Sequence, residues 1–198
     1  MVLTETSVTN NSSIKHVTSP ALNYYRLARL TLVEGTKQVR ECVLEWLPEG
    51  HSLHSALDKC RKKLVDLYSR RIISDKQWRL LFPDGSNVDP ARIDLTLWII
   101  LLRNVARLGV RNINWNEAPS ANETEWYHDV LRIRETRNSL AHLLRPELDD
   151  DSFENLWNYV VMALRRLNWY VVNHVRIHDG WCVVCVSQSM NEWMNEFI

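Results

Sequence analysis

The sequence predicts an all-α fold, a helical bundle of about five main helices. Its 198 residues match the size of one ordinary domain, and a hydrophobic share of 45% is enough to build a core. Glycine (5) and proline (6) are scarce whereas tryptophan (9) is plentiful, which favours long helices over a turn-rich β fold. Apolar residues also recur at helical spacing along most of the chain.

The composition divides the chain into three segments. Residues 1–19 are rich in Ser, Thr and Asn and predict a flexible N-terminal tail, 20–178 a helical domain, and 179–198 an extension of ambiguous structure. The N-terminal residues resemble no signal peptide, and the apolar run LTLWIILL is too short to cross a bilayer. We therefore expect a cytoplasmic protein without membrane contact. The formal net charge is zero, so any nucleic-acid surface has to be local.

Capping residues and helix breakers place the individual helices. In chain order the predicted helices are 20–47, 52–72, a short one from Ser74 to before Pro83, one from Pro90 to before Gly109, one from about 123 to 142–144, and a last long one capped by Asp151 or Ser152. Asp89 is the predicted N-cap of the central, almost wholly apolar helix. Asn122 and Glu125 resemble a capping box for the fifth helix. Ile72 is expected on the inner face of the second.

The segment RIRETRNSLAH, residues 132–142, places a permanent cation on an apolar helix face. At 100° per residue Arg137 falls in the middle of a narrow apolar stripe. The stripe consists of Trp126, Val130, Ile133, Leu140 and Leu144. Arg134, Asn138 and His142 form a separate polar stripe at i, i+4, i+8. Because a buried, unpaired guanidinium is costly, Arg137 requires a partner, a groove or an interface.

Two interpretations of this cation stay open at the level of the sequence. In one, Arg137 pairs with a core carboxylate, Asp94 or Asp129, and His142 is a surface cation at a helix C-terminus. In the other, the arginine and histidine act together on a phosphate. They are roughly 140° apart on an ideal helix, so they meet only if the helix distorts near its end or if a second copy of the chain supplies one of them.

RNA cleavage is the chemistry that uses such a pair. A histidine can take the proton from a 2′-OH or give one to the leaving oxygen. An arginine holds the scissile phosphate and offsets charge in the transition state. Because the 2′-OH is an internal nucleophile, this reaction needs no metal and no cofactor.

Further arginines extend the positive charge. Arg132 and Arg134 lie just before the motif, and Arg103, Arg107 and Arg111 recur every four residues, the first two of them on the central helix. This row either tracks an RNA backbone or pairs with neighbouring acids. The lone C-x-x-C of Cys182 and Cys185 has only His174 and His178 nearby as further zinc ligands. Two buried cysteines in an apolar segment are the favoured interpretation, so we predict no metal site.

The segment RNSLAH resembles the R-N-x-x-x-H signature of the HEPN superfamily. Together with WRLLFPDGSNVDPARIDLTLWIILLRNVARL, INWNEAP and FENLW, it is similar to the HEPN subfamily of DAZ-interacting zinc-finger-type ubiquitin ligases and invertebrate innate-immunity proteins. The resemblance implies an all-α bundle, homodimers and RNA binding. In active members it also implies a metal-independent endoribonuclease.

Carried over to this chain, the resemblance makes Arg137 the phosphate-binding arginine, Asn138 its polar neighbour and His142 the acid/base histidine. Ala141 stands where many relatives have glycine. No Cys/His array follows the domain, so ligase activity is not implied. The sequence therefore predicts a homodimer that binds and cleaves single-stranded RNA, with a non-catalytic dimerisation or adaptor module in a defence or ubiquitin pathway as the alternative.

Overall fold

The computed structural model describes residues 19–47, 52–105 and 113–179, with side chains up to residue 171. All regular elements in these ranges are helical, which confirms the predicted all-α class. They are α1 (Pro20–Arg29), a π-helical turn (Leu30–Glu34), α2 (Gly35–Glu45), α3 (Leu53–Lys59), α4 (Arg61–Ser69), α5 (Asp75–Leu81), a 3-10 turn (Pro90–Arg92), α6 (Leu95–Asn104), α7 (Trp126–Ala141) and α8 (Asp150–Asp179).

The second predicted helix, 52–72, is wrong in its continuity and its end. It divides at Cys60 into α3 and α4, and α4 stops at Ser69. Arg71 then adopts a left-handed conformation with φ 58°, while the Ile72 N–H donates to the carbonyl of Leu67. This turn at the end of α4 shifts the inward-facing position by one residue. Ile72 is therefore 42% exposed, and Ile73 takes the core position with 1% exposure.

Three predicted caps are also corrected. Asp89 caps only the 3-10 turn, and the N-cap of α6 is Asp94, whose carboxylate accepts from the Leu97 N–H at 2.7 Å. The predicted capping box of α7 is not formed, because α7 begins at Trp126 after Glu125, which makes no side-chain cap. The α8 cap is Asp149, whose carboxylate accepts from the Ser152 N–H at 2.8 Å.

Helix α7 lies in the interior of the bundle, where it packs along α8 and also touches α1 and α6. Four of the five predicted stripe residues are buried: Trp126, Val130, Ile133 and Leu140. Leu144 is fully exposed because α7 ends at Ala141 and the chain turns away. The core around the stripe includes Leu27, Val39, Trp98, Val160 and Leu167. The buried part of α7 thereby holds the C-terminal end of this helix at the surface of the bundle.

The close approach of α2 and α7 depends on a glycine. A Cβ on Gly35 would lie 2.8 Å from Cγ2 of the buried Ile133. A real Cβ contact is essentially never that short. The Ile133 branch is held by the packed core, so it cannot move aside at low cost.

We expect Gly35→Ala to lower the free energy of unfolding by about 1–2 kcal/mol, since overpacking outweighs the gain in helix propensity. Urea denaturation followed by circular dichroism measures this. Lys37→Ala, at an exposed position of the same helix, is the control and should change the free energy by less than about 0.5 kcal/mol. The double variant Gly35→Ala, Ile133→Ala should lose less free energy of unfolding than the sum of the losses of the two single variants. Full additivity would show that the two residues do not clash.

Candidate functional site

The candidate site lies at the C-terminal end of α7. Arg137 is half-buried, and its Nη1 donates to Oδ1 of the neighbouring Asn138 at 3.2 Å. His142 is the C-cap residue and is exposed. Its backbone N–H donates to the carbonyls of Asn138 and Ser139 at 3.1 and 3.3 Å, which closes the last turn. The three motif residues thus belong to one helix end, with the imidazole in solvent.

The two carboxylates that could have neutralised Arg137 have other partners. Asp129 is fully buried and accepts from Nη1 of Arg132 at 3.0 Å and from Nε and Nη2 of Arg166 at 2.8 and 2.6 Å. Asp94 caps α6. The interpretation in which Arg137 pairs with a core carboxylate is therefore wrong. Among the residues that the structure describes, Arg137 forms no ion pair, and Asn138 is its hydrogen-bond partner.

Arg132 is part of the fold's framework. Besides its ion pair with Asp129, its Nη2 donates to the carbonyls of Ser120 and Glu123, both at 2.6 Å. The guanidinium lies 5.6 Å from the ring centroid of Tyr159 on α8. These contacts pin the loop before α7 and the helix α8 to one buried cation, so its donors are turned inward. Arg132 is only 2% exposed, whereas the sequence alone grouped it with the RNA-binding arginines.

Arg134 and Arg103 come together around Trp115. Arg134 donates through Nη1 to the carbonyl of Trp115 and through Nη2 to Glu135 at 2.6 Å. The exposed Arg103 side chain places its guanidinium 5.6 Å from the Trp115 ring centroid. Partial burial lowers the pKa of Arg103, and the nearby charge of Arg134 lowers it further. Arg107 and Arg111, the rest of the predicted row, lie outside the described residues.

Two further residues, Trp115 and Lys63, contribute to this surface. Trp115 lies in the loop before α7 and is half-buried against the core. Lys63 on α4 donates to the carbonyl of Asn104 at 3.4 Å, which brings a further cation to the end of α6. The signal for Trp115 was an aromatic residue in a polar loop close to an arginine row. The position of Lys63 required the tertiary structure, because 41 residues separate it from its partner.

The loop after α7 lies against the beginning of α1. The Leu148 N–H donates to the carbonyl of Pro20 at 2.9 Å, and the buried Asn23 donates through Nδ2 to the Leu148 carbonyl at 3.3 Å. Large apolar side chains are exposed on both segments. They are Leu143, Leu144, Leu22 and Tyr25. Exposed apolar side chains thus follow the motif directly and also lie on the helix that this loop contacts.

The described residues hold neither a metal-binding cluster nor a membrane-spanning helix. No three His, Cys, Asp or Glu side chains within those ranges are grouped so that they could hold an ion. Likewise, none of the helices that the structure describes has the length and apolar character needed to cross a membrane. Cys182 and Cys185 lie outside the described residues.

The model of one protein family, described as DZIP3/hRUL138-like HEPN, matches residues 50–177. The chain belongs to this HEPN family. The predicted family is thereby confirmed, and the match includes the motif-bearing helix α7 of this HEPN domain.

A human protein, E3 ubiquitin-protein ligase DZIP3, is 24% identical over 179 residues. That similarity covers 83% of this chain but 15% of the relative, so the chain spans a small part of the length of the protein it matches. No solved structure matches the chain.

Proposed function

We propose that this HEPN domain binds single-stranded RNA and cleaves it without a metal ion, using Arg137, Asn138 and His142 in a homodimer. The observation that carries the proposal is the state of Arg137. Its guanidinium is half-buried at the helix end and, within the described ranges, is matched by no carboxylate. A cation left in this way is free to bind an external anion, and the phosphodiester of RNA is such an anion.

The reaction follows from the chemistry of the three side chains. His142 takes the proton of a 2′-OH, and the resulting oxygen attacks the adjacent phosphorus. Arg137 offsets the charge on the non-bridging oxygens as the P–O5′ bond breaks. A proton from an imidazole passes to the 5′-oxygen, leaving a 2′,3′-cyclic phosphate and a 5′-hydroxyl. Asn138, already bonded to Arg137 at 3.2 Å, fixes the orientation of the guanidinium.

A second copy of the chain supplies what one helix end lacks. Arg137 and His142 point in different directions around α7 if the helix is regular, because five residues turn it by roughly 140°. The exposed apolar side chains Leu143 and Leu144 follow the motif directly. Burial of this apolar surface against the same surface of a partner would bring two motifs to one interface. The proposed dimer therefore places the histidine and arginine of different copies around one phosphate.

RNA approaches the motif along α7. Arg134 precedes Asn138 by one helical turn, and Arg103 lies next to it across Trp115. Both cations can contact backbone phosphates, a contribution that is independent of sequence and weakened by salt. We place this activity in the cytoplasm.

The test is the incubation of purified protein with end-labelled single-stranded RNA in EDTA. We expect cleavage that leaves 2′,3′-cyclic phosphate and 5′-hydroxyl ends, because the nucleophile is the RNA's own 2′-OH. The same sequence with 2′-O-methyl riboses is the control and should remain intact. Wild-type protein that leaves the unmodified RNA intact would contradict the nuclease proposal.

The alternative function is a non-catalytic dimerisation or adaptor module in an innate-immune or ubiquitin-linked protein. The exposed apolar side chains at the end of α7 and the start of α1 support it, since such a surface fits a protein partner. The similarity to a ubiquitin ligase suggests the pathway. This module would leave RNA intact and would keep its partner after His142→Ala, which separates the two proposals.

A further inference from the structure

Trp115 has an unusual environment among the half-buried tryptophans. The ring of Trp78 is covered by Tyr68 and Phe82, whose centroids lie 4.9 and 4.5 Å away. Trp115 packs against the core, but in the described part of the chain no aromatic ring covers it. The guanidinium of Arg103 lies 5.6 Å from its ring centroid, near the outer limit of a cation–π contact.

The charge around this ring is not balanced. Arg134 is paired with Glu135, whereas Arg103 forms no ion pair within residues 19–47, 52–105 and 113–171. The two guanidinium groups are close enough to repel each other. An anion next to Arg103 would relieve this repulsion, and a flat apolar group could occupy the loosely covered ring. An aromatic face beside an unpaired cation is the combination that single-strand binding proteins use for a base and its phosphate.

We infer that Trp115 and Arg103 form a subsite for one unpaired base of single-stranded RNA, with the base stacked on the Trp115 ring and its phosphate on the Arg103 guanidinium. The long, exposed side chain of Arg103 moves off the ring to reach the phosphate. This inference rests on the proposed RNA function and adds a position where the substrate is held.

The subsite is close to the motif. The Trp115 carbonyl is held by Arg134, which precedes Asn138 by one turn of α7, about 5–6 Å along the helix axis. A strand whose base is stacked on Trp115 can therefore present a neighbouring phosphate to Arg137. The subsite selects unpaired bases, because a base within a duplex has no free face to stack.

The test compares two fluorescent oligomers by anisotropy, a single strand of 2′-O-methyl nucleotides that resists cleavage and the same backbone with abasic residues. Wild-type protein should bind the base-bearing strand about tenfold more tightly, the size of one base–aromatic stack. Trp115→Leu should remove most of this preference without changing abasic binding, and Trp115→Phe should keep it. Arg103→Gln should weaken the binding of both oligomers.

Trp78→Leu is the matched control, since it removes a half-buried tryptophan elsewhere and should leave the preference at its wild-type value. Circular dichroism checks that each variant is folded, because an unfolded variant would bind both oligomers more weakly. A Trp115→Leu protein with an undiminished preference for bases overturns the subsite while the RNA function stands. Wild-type protein that binds neither oligomer overturns both.

Discussion

Asp129→Ala is expected to lower the free energy of unfolding by about 3–5 kcal/mol, because it leaves a buried arginine without its counter-charge. Asp129 has no solvent exposure and receives hydrogen bonds from Arg132 and Arg166. Hydrogen bonding to this carboxylate raises the pKa of Arg166 above its usual value. The change also releases Arg132, which ties the loop before α7 and the helix α8 to one cation. Denaturant unfolding followed by circular dichroism measures the loss.

Asp66→Ala is the control for this prediction. Its carboxylate pairs with Arg70 at 3.5 Å at the surface of α4, and both side chains are more than 60% exposed. Surface pairs of this kind contribute about 0–1 kcal/mol, so the variant should unfold almost as the wild type does. Equal losses for Asp129→Ala and Asp66→Ala would show that the buried network is not what joins α7 to α8.

His142→Ala is expected to reduce RNA cleavage by a factor of about 100 or more, since an acid/base group typically contributes 10²–10⁴ to the rate. The fold should not change, because the side chain is exposed and the last-turn hydrogen bonds of His142 come from its backbone. A single-turnover cleavage assay in EDTA measures the rate. Circular dichroism and thermal unfolding check the fold.

His54→Ala is the matched control for the loss of a surface histidine. Its imidazole lies on α3, where it is 50% exposed and 3.3 Å from the carboxylate of Asp58. We expect this variant to cleave RNA at the wild-type rate. Cleavage that survives His142→Ala, or that falls equally with His54→Ala, would rule out the assigned role of His142.

The positions of the helices followed from the sequence because apolar spacing is a local property. The buried residues Trp126, Val130, Ile133 and Leu140 of α7 were predicted from their spacing, and the start of α1 at Pro20 from its proline. The prediction of an N-cap was wrong where two aspartates were close enough in sequence to serve as the cap. Asp89 and Asp94 are both suitable N-caps, and the choice of Asp94 depends on the packing of α6 rather than on either residue.

The site was only partly predictable, because the partner of a charge is a tertiary property. The motif identified Arg137, Asn138 and His142. The sequence could not show that Asp129 belongs to Arg132 and Arg166, because Arg166 is 37 residues away on another helix. That pairing buries Arg132 and, at the same time, leaves Arg137 without an ion-pair partner among the residues that the structure describes.

In the proposed nuclease, the guanidinium of Arg137 and the imidazole of His142 bind one RNA phosphate. Nitrogen-15 NMR of both side chains, during titration with an uncleavable single-stranded 2′-O-methyl RNA, tests this most directly. We expect the Arg137 and His142 signals to shift together and to saturate at the same RNA concentration. RNA binding that leaves the Arg137 guanidinium signal unchanged would contradict it.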